Sequence, residues 1–167
     1  MSIEFFKTDC QTETSEAKFG LYDAEDRTPA QIKQTDESTW NATVLNDAGK
    51  EILFTAIDNC IDVFRENGDM DSRCDCMLSY DSTLLLIELK NKRGSWQAEG
   101  LAQIESIVKR MMGEVPDYYG SFEKRKAIVA NRRNQFPAFQ ESNTEQRQYF
   151  RSKYKMRIQF EAEIIIR

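Results

Sequence analysis

Residues 73–90 decide the fold, and they read Arg73-Cys74-Asp75-Cys76-Met77-Leu78-Ser79-Tyr80-Asp81-Ser82-Thr83-Leu84-Leu85-Leu86-Ile87-Glu88-Leu89-Lys90. The segments 73–80 and 83–90 have the length and composition of β-strands, and Asp81-Ser82 between them is a turn sequence. A tight turn makes two consecutive strands antiparallel neighbours. The stretch therefore predicts a β-hairpin whose second strand is strongly apolar.

Three charged residues of this hairpin form a candidate site. Side chains alternate along a strand, so Glu88 and Lys90 share one face of the second strand, and antiparallel pairing brings Asp75 beside Glu88. Charges at the end of an apolar run are costly to bury unless they find partners or a metal ion. Two carboxylates at one point suit a hard divalent cation. The ammonium of Lys90 beside them can orient an attacking water or stabilise charge on a phosphate.

The residue types present restrict the chemistry. No histidine occurs in the 167 residues, which excludes Ser-His-Asp and Cys-His catalysis and histidine-ligated metals. Oxygen ligands remain, and they favour magnesium, manganese or calcium. The four cysteines do not form the framework of a small secreted disulfide protein. Cys74 and Cys76 lack the second ligand pair of a zinc site and are expected in the core, although a zinc protein stays open as a third hypothesis.

The remaining pattern predicts one α/β domain. Helices are predicted over residues 56–66, 97–112 and 145–153, the first with Thr55 as its N-cap. Further strands are predicted at residues 3–6, 19–22, 40–45, 51–54, 125–130 and 156–166, with 40–45 and 51–54 as a hairpin and 116–121 as a loop. This order indicates an α/β sandwich around a central mixed sheet. We expect a single domain over residues 1–167, with residues 1–45 as a strand-rich N-terminal extension.

Charge is distributed unevenly along the chain. Residues 1–81 contain 7 Lys and Arg against 18 Asp and Glu, whereas residues 82–167 contain 16 against 10. A polyanion would prefer the second half, which carries Lys92, Arg93, Arg132 and Arg133. The alternative is that these residues are solvated faces that meet opposite charges elsewhere in the fold.

Asp75 and Glu88-Leu89-Lys90, with twelve residues between Asp75 and Glu88, have a spacing that resembles the PD-(D/E)XK nuclease superfamily. Its members include restriction endonucleases, Holliday junction resolvases and phage exonucleases. Residues 55–111 also look like small stand-alone bacterial members whose function is unsettled. The resemblance implies a restriction-endonuclease-like fold in which Asp75 and Glu88 bind Mg²⁺ or Mn²⁺ and Lys90 assists the water. The chain departs from the motif at Cys74, where the name motif has proline.

The same resemblance implies supporting residues on the flanking helices. Many members carry an acidic residue on the first helix, for which Asp58 is the candidate and would be a further metal ligand, with Glu51 and Asp62 as substitutes. Many also carry a glutamine on the helix after the lysine, where Gln103 matches better than Gln97.

Two functions follow as expectations. The first is a magnesium-dependent deoxyribonuclease that hydrolyses DNA phosphodiesters, with the backbone carbonyl of Leu89 as a third metal ligand. The second is an inactive module of the same fold that binds nucleic acid or a basic protein partner. A homodimer is plausible because cutting both strands of DNA commonly needs two sites. No apolar run reaches the roughly 18 residues of a membrane span, and Met1-Ser2-Ile3-Glu4 is not a secretory signal, so we expect a cytoplasmic protein.

Overall fold

Ten β-strands and three α-helices are found in residues 3–137 and 143–167, the part of the chain that the computed structural model describes. The strands are β1 (Gln11–Thr14), β2 (Lys18–Tyr22), β3 (Gln31–Lys33), β4 (Ala42–Leu45), β5 (Ile52–Ala56), β6 (Cys76–Tyr80), β7 (Thr83–Lys90), β8 (Lys124–Asn131), β9 (Arg157–Gln159) and β10 (Glu163–Ile165). The helices are α1 (Trp96–Glu114), α2 (Pro116–Gly120) and α3 (Thr144–Tyr154). The fold is mixed α/β with two mixed sheets, as the predicted class requires.

The central sheet has six strands in the order β1-β5-β6-β7-β8-β9. Adjacent strands among the first four are antiparallel to each other, whereas β8 and β9 run parallel to β7. The predicted hairpin is confirmed, because Tyr80 pairs with Thr83 and Cys76 with Ile87, and β7 has the predicted bounds. Asp81 in the turn has a φ of 48°, a left-handed conformation that a short polar side chain tolerates.

Helix α1 connects the parallel strands β7 and β8 and confirms the helix predicted over residues 97–112. Its predicted apolar face is fully buried against the sheet, and it consists of Leu101, Ile104, Ile107, Val108 and Met111. Gly100 allows a close approach, since a Cβ placed there would lie 2.4 Å from a methyl carbon of Val129 on β8. This contact sets the distance between the helix and the sheet.

Two hydrophobic cores lie on opposite faces of the central sheet. One core contains the buried faces of α1 and α3 together with Leu84 and Leu86 of β7. The other contains Leu85 and Ile87 and packs against a second sheet with the strand order β10-β4-β2-β3. The alternation along β7 therefore directs even-numbered side chains, including Glu88, toward the helices.

The predicted helix over residues 56–66 is wrong. Strand β5 continues to Ala56 and is followed by a turn in which Asn59 has a φ of 62°. Thr55, the predicted N-cap, pairs with Gln11 on one side and Met77 on the other, so its backbone belongs to the sheet. The residues after β5 form an irregular segment, although their buried side chains are spaced as they would be on a helix. A disulfide between Cys10 and Cys60 links this segment to the start of β1.

Several other predicted elements also differ. Strands β4 and β5 belong to different sheets and do not form the predicted hairpin, and residues 156–166 divide into β9 and β10, again in different sheets. Residues 116–121 contain the short helix α2, and residues 3–6 form no strand, whereas β1 was not predicted. Alternating apolar residues show that a strand is half-buried, but they do not specify the sheet that it joins.

Residues 1–45 contribute β1 to the central sheet and β2, β3 and β4 to the second sheet. The second sheet is completed by β10, which pairs parallel to β4 near the C-terminal end of the chain. None of the helices in the described ranges has the length and apolarity needed to cross a bilayer.

Candidate functional site

Asp75 and Glu88 meet at the edge of the helix-side core and are almost fully buried, at 5% and 3% exposure. Asp75 immediately precedes β6, so its side chain is free of the strand's alternation. Its backbone N–H donates to Glu88 Oε1 at 3.1 Å, and its Oδ2 accepts a 2.7 Å bond from the backbone N–H of Leu89. Asp75 thus lies beside Glu88.

Burial dominates the acidity of this pair. Loss of solvation raises the pKa of Asp75 well above its usual range, and the neighbouring charge of Glu88 raises it further. Loss of solvation also raises the pKa of Glu88 to about 7, although the nearby charge of Lys90 acts in the opposite direction. The pair therefore holds a proton near neutral pH, and a cation that entered the site would displace it.

Lys90 faces both Glu88 and helix α1. Its Nζ lies 3.2 Å from Glu88 Oε2 and donates a 2.7 Å hydrogen bond to Gln103 Oε1. Only 14% of its side chain is exposed, so the ammonium has a fixed direction. Glu99 on the first turn of α1 lies at 4.0 Å, at the solvent side of the same ammonium.

Gln103 is held from two sides. Its Oε1 accepts from Lys90, and its Nε2 donates to the backbone carbonyl of Arg73 at 3.4 Å. It is therefore the glutamine of α1 that reaches the acidic pair through Lys90. Gln97, the other candidate, lies half-buried at the start of the helix.

Asp58 lies on the turn after β5 rather than on a helix, so that part of its prediction is wrong. Its Oδ1 is 3.0 Å from Nη2 of Arg73, a side chain that also donates to the carbonyl of Ile61. Burial raises the pKa of Asp58, and its charge in turn raises the pKa of Glu88. Asp58 is thus near the acidic pair but is engaged by an arginine.

The two substitutes for Asp58 lie elsewhere. Glu51 is exposed and precedes the far end of β5, roughly 16 Å from Ala56 at the site's end. Asp62 is exposed and lines a separate surface depression with Lys7 and Arg65. Neither joins the acidic pair.

Asp23 and Asn41 are members of this neighbourhood that the sequence analysis missed. The charge of Asp23, directly after β2, raises the pKa of both Asp75 and Asp58. Its backbone N–H donates to Asn41 Oδ1 at 3.0 Å, and Asn41 Nδ2 donates to the carbonyl of Lys90 at 3.1 Å. Asp23 directly follows β2 and Asn41 directly precedes β4, both in the second sheet. The one signal in the sequence was a polar asparagine within the predicted strand 40–45, and the structure buries it.

The groups here that could bind a metal ion offer oxygen atoms, which suit hard divalent cations. The N–H and C=O of one strand residue point the same way, so the carbonyl of Leu89 faces the edge at which its N–H contacts Asp75. Within residues 3–137 and 143–167, no group of three or more Asp, Glu, Cys or His side chains could hold a metal ion. Mg²⁺ commonly takes one or two carboxylates and fills its other positions with water and phosphate, so two carboxylates and a carbonyl fit that ion.

Cys74 and Cys76 are both fully buried, as expected for core residues. Cys74 packs in the helix-side core, whereas Cys76 packs between the two sheets. Thiols packed in different hydrophobic cores do not form the shared tetrahedral sulfur site that the zinc hypothesis needs.

Comparisons with known proteins give no match: no family model, no curated protein and no solved structure corresponds to this chain. We therefore infer function from the contacts of the Asp75, Glu88 and Lys90 cluster and from the surface around it.

Proposed function

We propose that the protein is a metal-dependent nuclease of the PD-(D/E)XK type that hydrolyses DNA phosphodiester bonds. One observation carries the proposal: two buried carboxyl groups, Asp75 and Glu88, lie together beside the ammonium of Lys90. A buried acid pair of this kind is unfavourable without a compensating charge, and a single lysine compensates only one of the two.

Asp75, Glu88 and the carbonyl of Leu89 would hold Mg²⁺ or Mn²⁺. When bound, such an ion lowers the pKa of its water and stabilises negative charge on a phosphate. Binding would also release the proton that the acid pair holds, so affinity should increase with pH. Asp58, which belonged to the expected ligand set, would contribute through its charge while Arg73 retains its side chain.

Lys90 would position the attacking water and stabilise charge that develops on the phosphate. Its hydrogen bond to Gln103 Oε1 fixes the ammonium, and the bond from Gln103 to the carbonyl of Arg73 fixes the amide. Gln103 would therefore be a positioning residue. Preorganisation of this kind is effective because the charge need not reorganise during the reaction.

The architecture supports the restriction-endonuclease-like part of the proposal to a limited extent. A hairpin carries the acids, helix α1 follows the lysine, and the sheet is mixed and covered on both faces. The helix expected before the strand of Asp75 is absent from the described ranges, where β5 and an irregular turn occupy that position.

Cations near the acid cluster support a DNA substrate. Strands β7 and β8 end together, because Lys90 pairs with Asn131, so Lys92, Arg93, Arg132 and Arg133 extend from the same edge of the sheet. Some of this charge is used within the protein: Lys92 pairs with Glu99, and Arg132 donates to the carbonyl of Thr39. A second copy of the chain would supply the cut on the opposite strand.

Cleavage of a panel of single-stranded, duplex and branched DNA in Mn²⁺ tests the proposal. Wild type should cleave at least one substrate, and Lys90→Ala should not, whereas Lys109→Ala, an exposed change on α1, should cleave as wild type does. Identical products from wild type and Lys90→Ala would refute the catalytic role.

An inactive module that binds nucleic acid or a basic protein is the second candidate. It is favoured by the hydrogen bonding of Glu88, whose Oε1 accepts from Asp75 and whose Oε2 lies against Lys90. A carboxylate satisfied in this way could serve structure alone. Calorimetric titration with Mn²⁺ separates the two candidates, because the module predicts no binding of metal by wild type.

The cytoplasmic location stays a proposal, and the Cys10–Cys60 disulfide weighs against it. Disulfides persist mainly in oxidising compartments and are uncommon in reducing ones. Thiol counting on protein purified under nonreducing conditions addresses the question directly.

A further inference from the structure

A second site candidate, here called the cationic pocket, lies at the opposite end of the central sheet from Asp75 and Glu88. Its volume is about 440 Å³, and Tyr80 and Thr83 form part of its wall. Because Glu88 follows Thr83 by five residues on β7, the pocket wall lies roughly 17 Å from the acid pair. Its charged lining consists of Glu123, Lys124, Arg125, Lys126, Lys155, Arg157 and Arg167.

The pocket opens where the second sheet stops covering the central one. Lys124 and Lys126 share a face of β8 with Ile128, which packs in the core between the sheets. Arg157 on β9 is the direct partner of Lys126 in the parallel ladder. Ile165 of β10 lines the pocket from the second sheet. Residues of both sheets therefore line the cationic pocket.

Like charges at paired strand positions are unfavourable unless something neutralises them. Within residues 3–137 and 143–167, neither Lys126 nor Arg157 forms an ion pair or a side-chain hydrogen bond, and Glu123 is the one acidic residue of the lining. Burial lowers the pKa of Lys126, and the charges of Arg157, Arg167 and Lys124 lower it further. Arg125 differs, because its guanidinium donates to the carbonyls of Tyr119 and Phe122.

We propose that the cationic pocket binds a phosphate-bearing anion, with Lys126 and Arg157 as the central contacts. The planar guanidinium of Arg157 can donate two parallel hydrogen bonds to one phosphate, and the Lys126 ammonium adds a point charge. The phosphate belongs either to a nucleic acid backbone or to a free phosphate compound. This proposal does not depend on the nuclease assignment, since the two sites share no side chain.

Calorimetry in EDTA, with inorganic phosphate and a single-stranded oligonucleotide as the two probes, tests the pocket without contribution from a metal site. The test variant is Lys126→Gln with Arg157→Gln. The control is Arg27→Gln with Lys109→Gln, which removes the same charge from exposed positions outside the pocket. The test variant should bind each probe at least about tenfold more weakly, because it loses charge-assisted hydrogen bonds to the phosphate. The affinity of the control should stay close to that of wild type.

The probes distinguish the sources of the phosphate. Loss of both inorganic phosphate and oligonucleotide binding in the test variant supports a small-anion site, whereas loss of oligonucleotide binding alone supports a nucleic acid backbone. Absence of binding by wild type to either probe, or equal binding by the test and control variants, overturns the proposal. Melting temperature without anion checks folding and should be unchanged or higher in the test variant, because repulsion is removed. If that variant does not fold, Arg157→Gln alone, at an exposed position, carries the comparison.

Discussion

The backbone of Asp75 is hydrogen-bonded to the side chain of Glu88, thirteen positions further along the chain. The N–H of Asp75 donates to Glu88 Oε1 at 3.1 Å. The second oxygen of Asp75 is held by the N–H of Leu89. The acid pair is thus part of the connection between the end of β7 and the segment that precedes β6.

This relationship makes stability depend on pH. The pKa of Glu88 is raised from 4.5 to about 7, so the folded state binds a proton more tightly than the unfolded state. Its contribution to stability is complete below pH 4.5 and is lost as the pH rises through 7. In EDTA, the free energy of unfolding of wild type should fall across this window by at most about 1.4 kcal/mol per pH unit more than that of Glu88→Gln. Urea unfolding at several pH values measures both slopes, and parallel profiles would contradict the prediction.

Gln103 should affect the rate of DNA cleavage through Lys90. Gln103→Leu removes the acceptor 2.7 Å from the ammonium and leaves the acidic pair intact, so kcat should fall about tenfold with KM nearly unchanged. Gln97→Leu, the same change one and a half turns earlier on α1, should cleave as wild type does. Equal kcat values for the two variants would show that Gln103 does not position the lysine.

Two glycines of α1 should respond oppositely to alanine. A Cβ at Gly100 would lie 2.4 Å from Val129, so Gly100→Ala should lower the free energy of unfolding by about 1–3 kcal/mol through overpacking. Gly113 has no neighbouring atom within 4 Å, and Gly113→Ala should stabilise the protein by roughly 0.5–1 kcal/mol because alanine favours the helix. Chemical denaturation of both variants measures the difference. Stabilisation by Gly100→Ala would mean that α1 packs less closely on β8.

The Cys10–Cys60 disulfide should contribute about 2–4 kcal/mol to stability, because it closes a long loop in the unfolded chain. Reduction should lower the melting temperature of wild type but not that of a Cys10→Ser, Cys60→Ser double variant. In denaturant without reductant, wild type should show two free thiols, from Cys74 and Cys76. Four reactive thiols would show that the bond is not formed.

Residues 83–90 determine much of the fold by themselves. Their apolar run fixes a central strand with the predicted bounds, and the turn at residues 81–82 fixes the hairpin, because both signals are local and agree. The 3.6-residue spacing from Leu101 to Met111 fixes α1 in the same way. Hairpin pairing also predicted Asp75 beside Glu88, and alternation predicted Glu88 and Lys90 on one face. Asp75 itself precedes β6, and its hydrogen bonds with Glu88 and Leu89 place it.

Tertiary structure decided the features that rest on contacts between distant segments. The pattern of Ile57, Cys60 and Ile61 predicted a helix, but pairing of β5 with both β1 and β6 and the disulfide to Cys10 gave a strand and a turn instead. Which sheet a short strand joins was likewise undetermined, because β9 and β10 follow each other closely yet pair in different sheets.

The acid cluster shows the same division. The sequence by itself predicted that Asp75, Glu88 and Lys90 lie close together, because the geometry of a hairpin dictates the spacing of such residues. Asp23 and Asn41 reach the cluster only because the second sheet packs on the central one. Asn41 then contacts the carbonyl of Lys90, and Asp23 lies near enough for its charge to act on Asp75. Partners that come from another layer leave no periodic signal in the sequence, since their proximity arises from burial of the core between the layers.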